Sequence, residues 1–147
     1  MSLATIAHSA EQAGDEVPVY LVVEKGQNPK VDKPWAVIWA VAWDFTPGCP
    51  LLQALELDGD EKLLRTYEKA QRDVVKIPLG SMTYKDVHRL QDIVFTTPAA
   101  VPRHAGMHPA PREFIVRVLR KAVERRLLCA DDVELAIRTG LRVNWAK

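Results

Sequence analysis

The order of patterns along the 147 residues predicts a single α+β domain. Its core is a mainly antiparallel sheet of about five or six strands packed by C-terminal helices. Three observations carry this. Trp35, Val37, Trp39, Val41, Trp43 and Phe45 alternate with Ala36, Ile38, Ala40, Ala42 and Asp44, the two-residue period of a strand. Asp58-Gly59, a dipeptide suited to a tight hairpin turn, lies between two strand-like runs. Apolar stripes with helical spacing appear only from Thr83 onward.

Residues 1–16 are small and polar without periodicity and read as a flexible tail, so the domain is expected over 17–147. Val17 to Glu24 is the first strand, and Trp35 to Phe45 is the central one. A helix over Trp35 to Phe45 would be apolar on every side, which argues against it. Thr46-Pro47-Gly48 supplies a type II turn. Leu51 to Leu57 and Asp60 to Tyr67 form the hairpin, and Asp73 to Pro78 is a short strand that Pro78 places at an edge or ends. Thr83 caps a helix to Phe95 with Asp86 at its third position and Val87, Leu90 and Val94 as its buried stripe. The four prolines between Thr97 and Pro111 exclude a regular element there. Arg112 to Leu128 is the second helix, with Pro111 at its first turn. Asp131 to Thr139 is the third, capped by Gly140, and Leu141 to Trp145 reads as a last short strand.

Composition narrows the classes of function. At 48% hydrophobic, 27% charged and a net charge of +1, the chain is of ordinary globular make-up. Its overall field is too weak to require nucleic acid or an acidic membrane as a partner. Two cysteines do not make a disulfide scaffold, and the start lacks the basic head and apolar run of a leader. A reduced, intracellular and cytoplasmic setting is therefore expected, with no membrane span.

Pro34-Trp35-Ala36-Val37-Ile38 and Pro111-Arg112-Glu113-Phe114-Ile115-Val116 stand in an apolar frame from Val17 to Leu128. On these patterns the chain resembles the permuted papain-like domains of lecithin retinol acyltransferase-like proteins and NlpC-type peptidases. In that family a His opens the first pattern and a Cys nucleophile begins the second. Here Pro34 stands at the His position and no Cys lies near Arg112, so the resemblance implies a pseudoenzyme or a repurposed site.

The first functional reading is a non-catalytic binding or interaction domain, with a small-molecule pocket or a homo-oligomer interface on the ring face of Trp35, Trp39 and Trp43. On this reading the helices from Thr83 and Arg112 cover the Ala36, Ala40 and Ala42 face, leaving the rings open. The alternative is a small-molecule enzyme using His104 or His108 as acid or base near Arg112. Arg103 and the helix N-terminus would then favour an anionic ligand. A weaker alternative is nucleic-acid binding by Arg117, Arg120, Lys121 and Arg125, though that helix lacks the aromatic interleaving of a single-strand binder. Cys49, in a turn, and Cys129, at a helix junction, read as packing residues, and His88 as a surface residue. Glu56 and Glu61 are placed to meet across the hairpin. Two loop histidines lack a third ligand, so no metal is expected, and no cofactor motif is present.

Overall fold

The computed structural model describes residues 16–24, 38–46, 48–58, 61–69, 73–99 and 111–143. Five strands come first: β1 (Glu16–Glu24), β2 (Ile38–Asp44), β3 (Leu51–Asp58), β4 (Glu61–Glu68) and β5 (Val74–Thr83). Three helices follow, α1 (Tyr84–Thr96), α2 (Pro111–Glu124) and α3 (Ala130–Leu141). The sheet order is β4-β3-β2-β1-β5 with every neighbour antiparallel, which is the expected α+β arrangement. Four strands run as a meander, and the fifth returns to pair with the first.

Local chemistry accounts for most of these elements. Gly48 takes a φ of 72°, and the Cys49 N–H donates to Thr46 O at 3.0 Å, closing the turn after β2. The β3–β4 pairing runs to Asp58 opposite Glu61, and Gly59 of the expected Asp58-Gly59 turn lies outside the described residues. Thr83 caps α1, accepting the Asp86 N–H on its hydroxyl at 3.3 Å.

Four expectations are corrected. β5 runs past Pro78 to Thr83 because it is an edge strand, where a missing N–H is tolerated. A bulge opposite Val19 and Tyr20, followed by Gly80 at a φ of 132°, carries the pairing on. α2 stops at Glu124, short of Leu128, because Arg126 turns into the left-handed region at a φ of 62°. There the Leu127 N–H reaches Ala122 O and the Arg126 N–H reaches Val123 O, the paired bonds of a Schellman termination. Gly140 lies inside α3 rather than capping it. A Cβ at Gly140 would stand 3.0 Å from the Trp39 ring, so its small size lets the helix lie on that ring. Leu141 closes α3, so no strand begins there, while 144–147 lie outside the described residues. The tail at 1–15 also lies outside them.

The main core lies between the sheet and the helices. Val17, Val19, Leu21 and Val23 of β1, Trp39, Val41 and Trp43 of β2, and Leu55 and Leu57 of β3 meet the buried faces of all three helices. α2 packs on β2 and β3, and α3 packs on β5 and β1. The helices therefore cover the ring face of the tryptophan strand, the reverse of the expected side. Large side chains fill the gap beneath a helix layer at native density, which a face of alanines could not do.

The alanine face forms a second, smaller core with no helix. Val22, Ala40, Ala42, Leu52, Ala54, Tyr67 and Val74 are buried together there. Tyr67 pairs with Leu52, and Leu52 with Asp44, so Tyr67 stands level with the start of β1. Its hydroxyl nevertheless donates to Glu24 Oε2, at the far end of β1, at 2.6 Å. In a flat sheet those two backbones would be roughly 24 Å apart, against a joint side-chain reach of about 14 Å. The sheet must therefore coil strongly, bringing β4 across the hollow side of β1. The Lys76 ammonium of β5 also donates to Lys69 O just after β4, tying the two edges together. Small residues on the inner face make this curl sterically feasible.

Candidate functional site

Inside the curl, charged side chains answer one another. Glu24, Asp44 and Glu56 are each 2% exposed. The Arg65 guanidinium donates to Glu56 Oε1 at 2.9 Å and lies 3.6 Å from Glu24 Oε2, so one cation serves two buried carboxylates. Arg65 also lies over the Tyr67 ring at 5.1 Å. Burial pushes the Glu56 carboxyl above its ordinary range, with Arg65 opposing. Burial and the bond to Glu24 push the Tyr67 phenol up. At the other end of β2, the Lys69 ammonium donates to Asp44 Oδ2 at 2.9 Å. Asp44 Oδ1 has no hydrogen-bond partner among the described residues. Burial, then Asp44, raises the phenol of the half-buried Tyr20. The arrangement closes the barrel-like curl and leaves its carboxylates out of contact with solvent.

A second cluster lies on the helix side, where β4 meets the end of α1 and the first turns of α2. Lys62, Leu64 and Thr66 alternate on that side of β4, opposite Leu57, Leu55 and Gln53. The Lys62 ammonium donates to Phe95 O at the end of α1 at 3.0 Å and stands 5.7 Å above the Phe114 ring. Arg117 stands 5.8 Å from the same ring and donates to Pro98 O at 2.8 Å and Ala99 O at 3.1 Å. Lys62 stabilises the carbonyl end of α1, whose own last turn has no basic residue, and Arg117 holds the chain just beyond it. Phe114, Arg117 and Lys121 share one face of α2 by their spacing of three and four.

No ion pair involves Lys62, Arg117 or Lys121 among the described residues. Arg117 Nε is buried without an acceptor among the described residues. Burial, then Arg117 and Lys121, pulls Lys62 below the ordinary lysine range. Leu64 and Phe95, beside this cluster, are 56% and 54% exposed. The outer edge of β4 has no strand partner among the described residues.

The residues singled out from the sequence fall elsewhere. Trp39 and Trp43 are 2% and 1% exposed, in the helix-covered core, and offer no open ring face. Arg112 is exposed on the first turn of α2. Trp35, Arg103, His104 and His108, together with Pro34 of the papain-like pattern, lie outside the described residues. Arg117 is held by backbone carbonyls and Arg120 pairs with Glu134 at 3.3 Å, so part of the expected basic face is spent internally. Cys49 is buried, its sulfur 3.5 Å from the Leu51 N–H, while Cys129 is exposed at the start of α3. His88 is exposed on α1. Glu56 turns into the curl opposite Leu63, and Glu61 pairs with Asp58, so Glu56 and Glu61 do not meet.

Sequence reading missed Lys62, Arg65 and Tyr67. Their signal was the alternation Lys62-Leu63-Leu64-Arg65-Thr66-Tyr67, which gives one face a lysine and a leucine and the other an arginine and a tyrosine. The chain matches no protein-family model, no curated protein and no solved structure.

Proposed function

We propose that the chain is a non-catalytic binding module, and that it takes up an extended, acidic segment of a partner protein along the outer edge of β4. The observation that carries this reading is the set of three cations, Lys62, Arg117 and Lys121, gathered beside an unpaired strand edge without a carboxylate partner among the described residues. An added strand would gain main-chain hydrogen bonds from β4. Its apolar side chains would rest on Leu64 and Phe95, and its carboxylates would face Lys62 and Lys121. Glu61 and Glu68, exposed at the two ends of β4, would repel acids placed there and so select the register.

The reading is tested by selecting from a displayed library of random twelve-residue peptides on the full chain. Selected peptides should combine acidic and apolar residues, shift the amide resonances of β4, and lose about tenfold or more in affinity with Leu64→Asp or Lys62→Glu. Peptides that bind while shifting only other regions overturn the reading. Concentration-dependent self-association that shifts β4 also overturns it, because the occupant would then be a second copy.

A further inference from the structure

We infer that Lys62, Lys121 and the guanidinium of Arg117 form a subsite for one phosphoryl group, so that the segment taken up along β4 is phosphorylated. This deepens the binding-module reading and rests on it for the source of the group, but the subsite is tested separately.

The geometry supplies the argument. Lys62 from β4 and Arg117 from α2 both stand close to the Phe114 ring, at 5.7 and 5.8 Å from its centroid. Lys121 stands one helical turn beyond Arg117 on the same face. Carbonyl oxygens satisfy some of the donors: Phe95 O for Lys62, and Pro98 O and Ala99 O for Arg117. Carbonyls are neutral, and among the described residues no carboxylate pairs with the three cations and Arg117 Nε has no acceptor. Holding like charges together on a half-buried surface destabilises the fold unless an anion joins them. A carboxylate brings one negative charge. A phosphate monoester brings about −1.5 to −2 and three acceptor oxygens, which matches three cationic groups better. Burial first, and then the nearness of Arg117 and Lys121, lowers the proton affinity of Lys62. On the same helix Arg120 has its own carboxylate, Glu134, and so takes no part.

Inorganic phosphate is the first probe, followed by resonances of the lysine ε-methylene groups in the full chain at neutral pH. Lys62 and Lys121 should shift with saturation in the millimolar range, at least threefold tighter than with acetate, and the titration of Lys62 should move upward. Lys62→Met and Lys121→Met, which remove the charge and keep a side chain of similar length, should each weaken phosphate at least threefold. In the second arm, a selected segment with phosphoserine should bind at least tenfold tighter than its unphosphorylated form, and Lys121→Met should abolish the difference. Shifts that rise without saturation and are shared by the exposed Lys85 overturn the subsite, as does phosphate binding that both methionine variants leave unchanged. Saturable phosphate binding with no gain from phosphoserine overturns the assignment of a phosphorylated segment. If phosphate saturates the subsite while no peptide shifts β4, the subsite stands and the segment reading falls.

Discussion

Gly140 shows how one missing methyl group sets the seat of a helix. An alanine there would gain about 1 kcal/mol of helix propensity. Its Cβ would stand 3.0 Å from Trp39 Cζ2 and Cη2 and 3.3 Å from Leu21 Cδ2, in a core where the ring is 2% exposed and cannot yield. Overpacking of this kind costs about 1–3 kcal/mol, so Gly140→Ala should lower unfolding stability by about 1 kcal/mol net, measured by urea denaturation. Glu56 poses the electrostatic counterpart. Its carboxyl is held above the ordinary value of 4.5 by burial, so the folded state keeps the proton longer than the unfolded one. The favourable contribution is complete below pH 4.5 and is lost as pH rises through the raised folded value. Glu56→Gln should therefore gain on the native chain as pH rises from 4 to 7. Arg65→Met should lose about 3 kcal/mol at pH 7, because it leaves Glu24 and Glu56 buried without their cation. Equal pH profiles for Glu56→Gln and the native protein would contradict this account.

Among the elements, the helices were largely legible and their ends were not. The stripe Val87, Leu90 and Val94 and the cap at Thr83 could be read directly, because both depend on residues within a turn of each other. The end of α2 could not, since Arg126 holds the left-handed position that glycine ordinarily takes. A non-glycine residue there costs about 1 kcal/mol, so Arg126→Gly should raise the unfolding midpoint and stabilise the protein by about 0.5–1 kcal/mol. Pro78 misled in the same way. It marks an edge strand correctly, but the bulge that lets β5 continue depends on Gly80 and on pairing with β1. The hairpin was legible as to its two strands.

For the whole molecule, the decisive feature is the coil of the sheet, which joins β4 to the far end of β1 through Tyr67 and Glu24. A hydrogen bond to a buried carboxylate is worth about 1.5–3 kcal/mol. Tyr67→Phe should cost about that much and raise hydrogen exchange in β4 more than in β2. If β2 and β4 loosen equally, the bond supports the fold generally and not the closure. The candidate interaction surface depends on the packing of the helices against the sheet. It places Lys62 of β4 beside Phe114, Arg117 and Lys121 of α2, residues more than 50 positions later in the chain.

The sequence by itself determined that a two-faced strand, a hairpin and three amphipathic helices would make an α+β domain, because period and turn chemistry are local properties. It also showed that one face of the tryptophan strand is wide and the other narrow. Only the tertiary structure decided which face the helices cover, and it chose the wide one. The rings of Trp39 and Trp43 fill the space under α2 and α3, while Ala40, Ala42 and Ala54 allow the sheet to curl upon Tyr67. That outcome depends on volumes contributed by segments distant in the chain, and no local pattern records them.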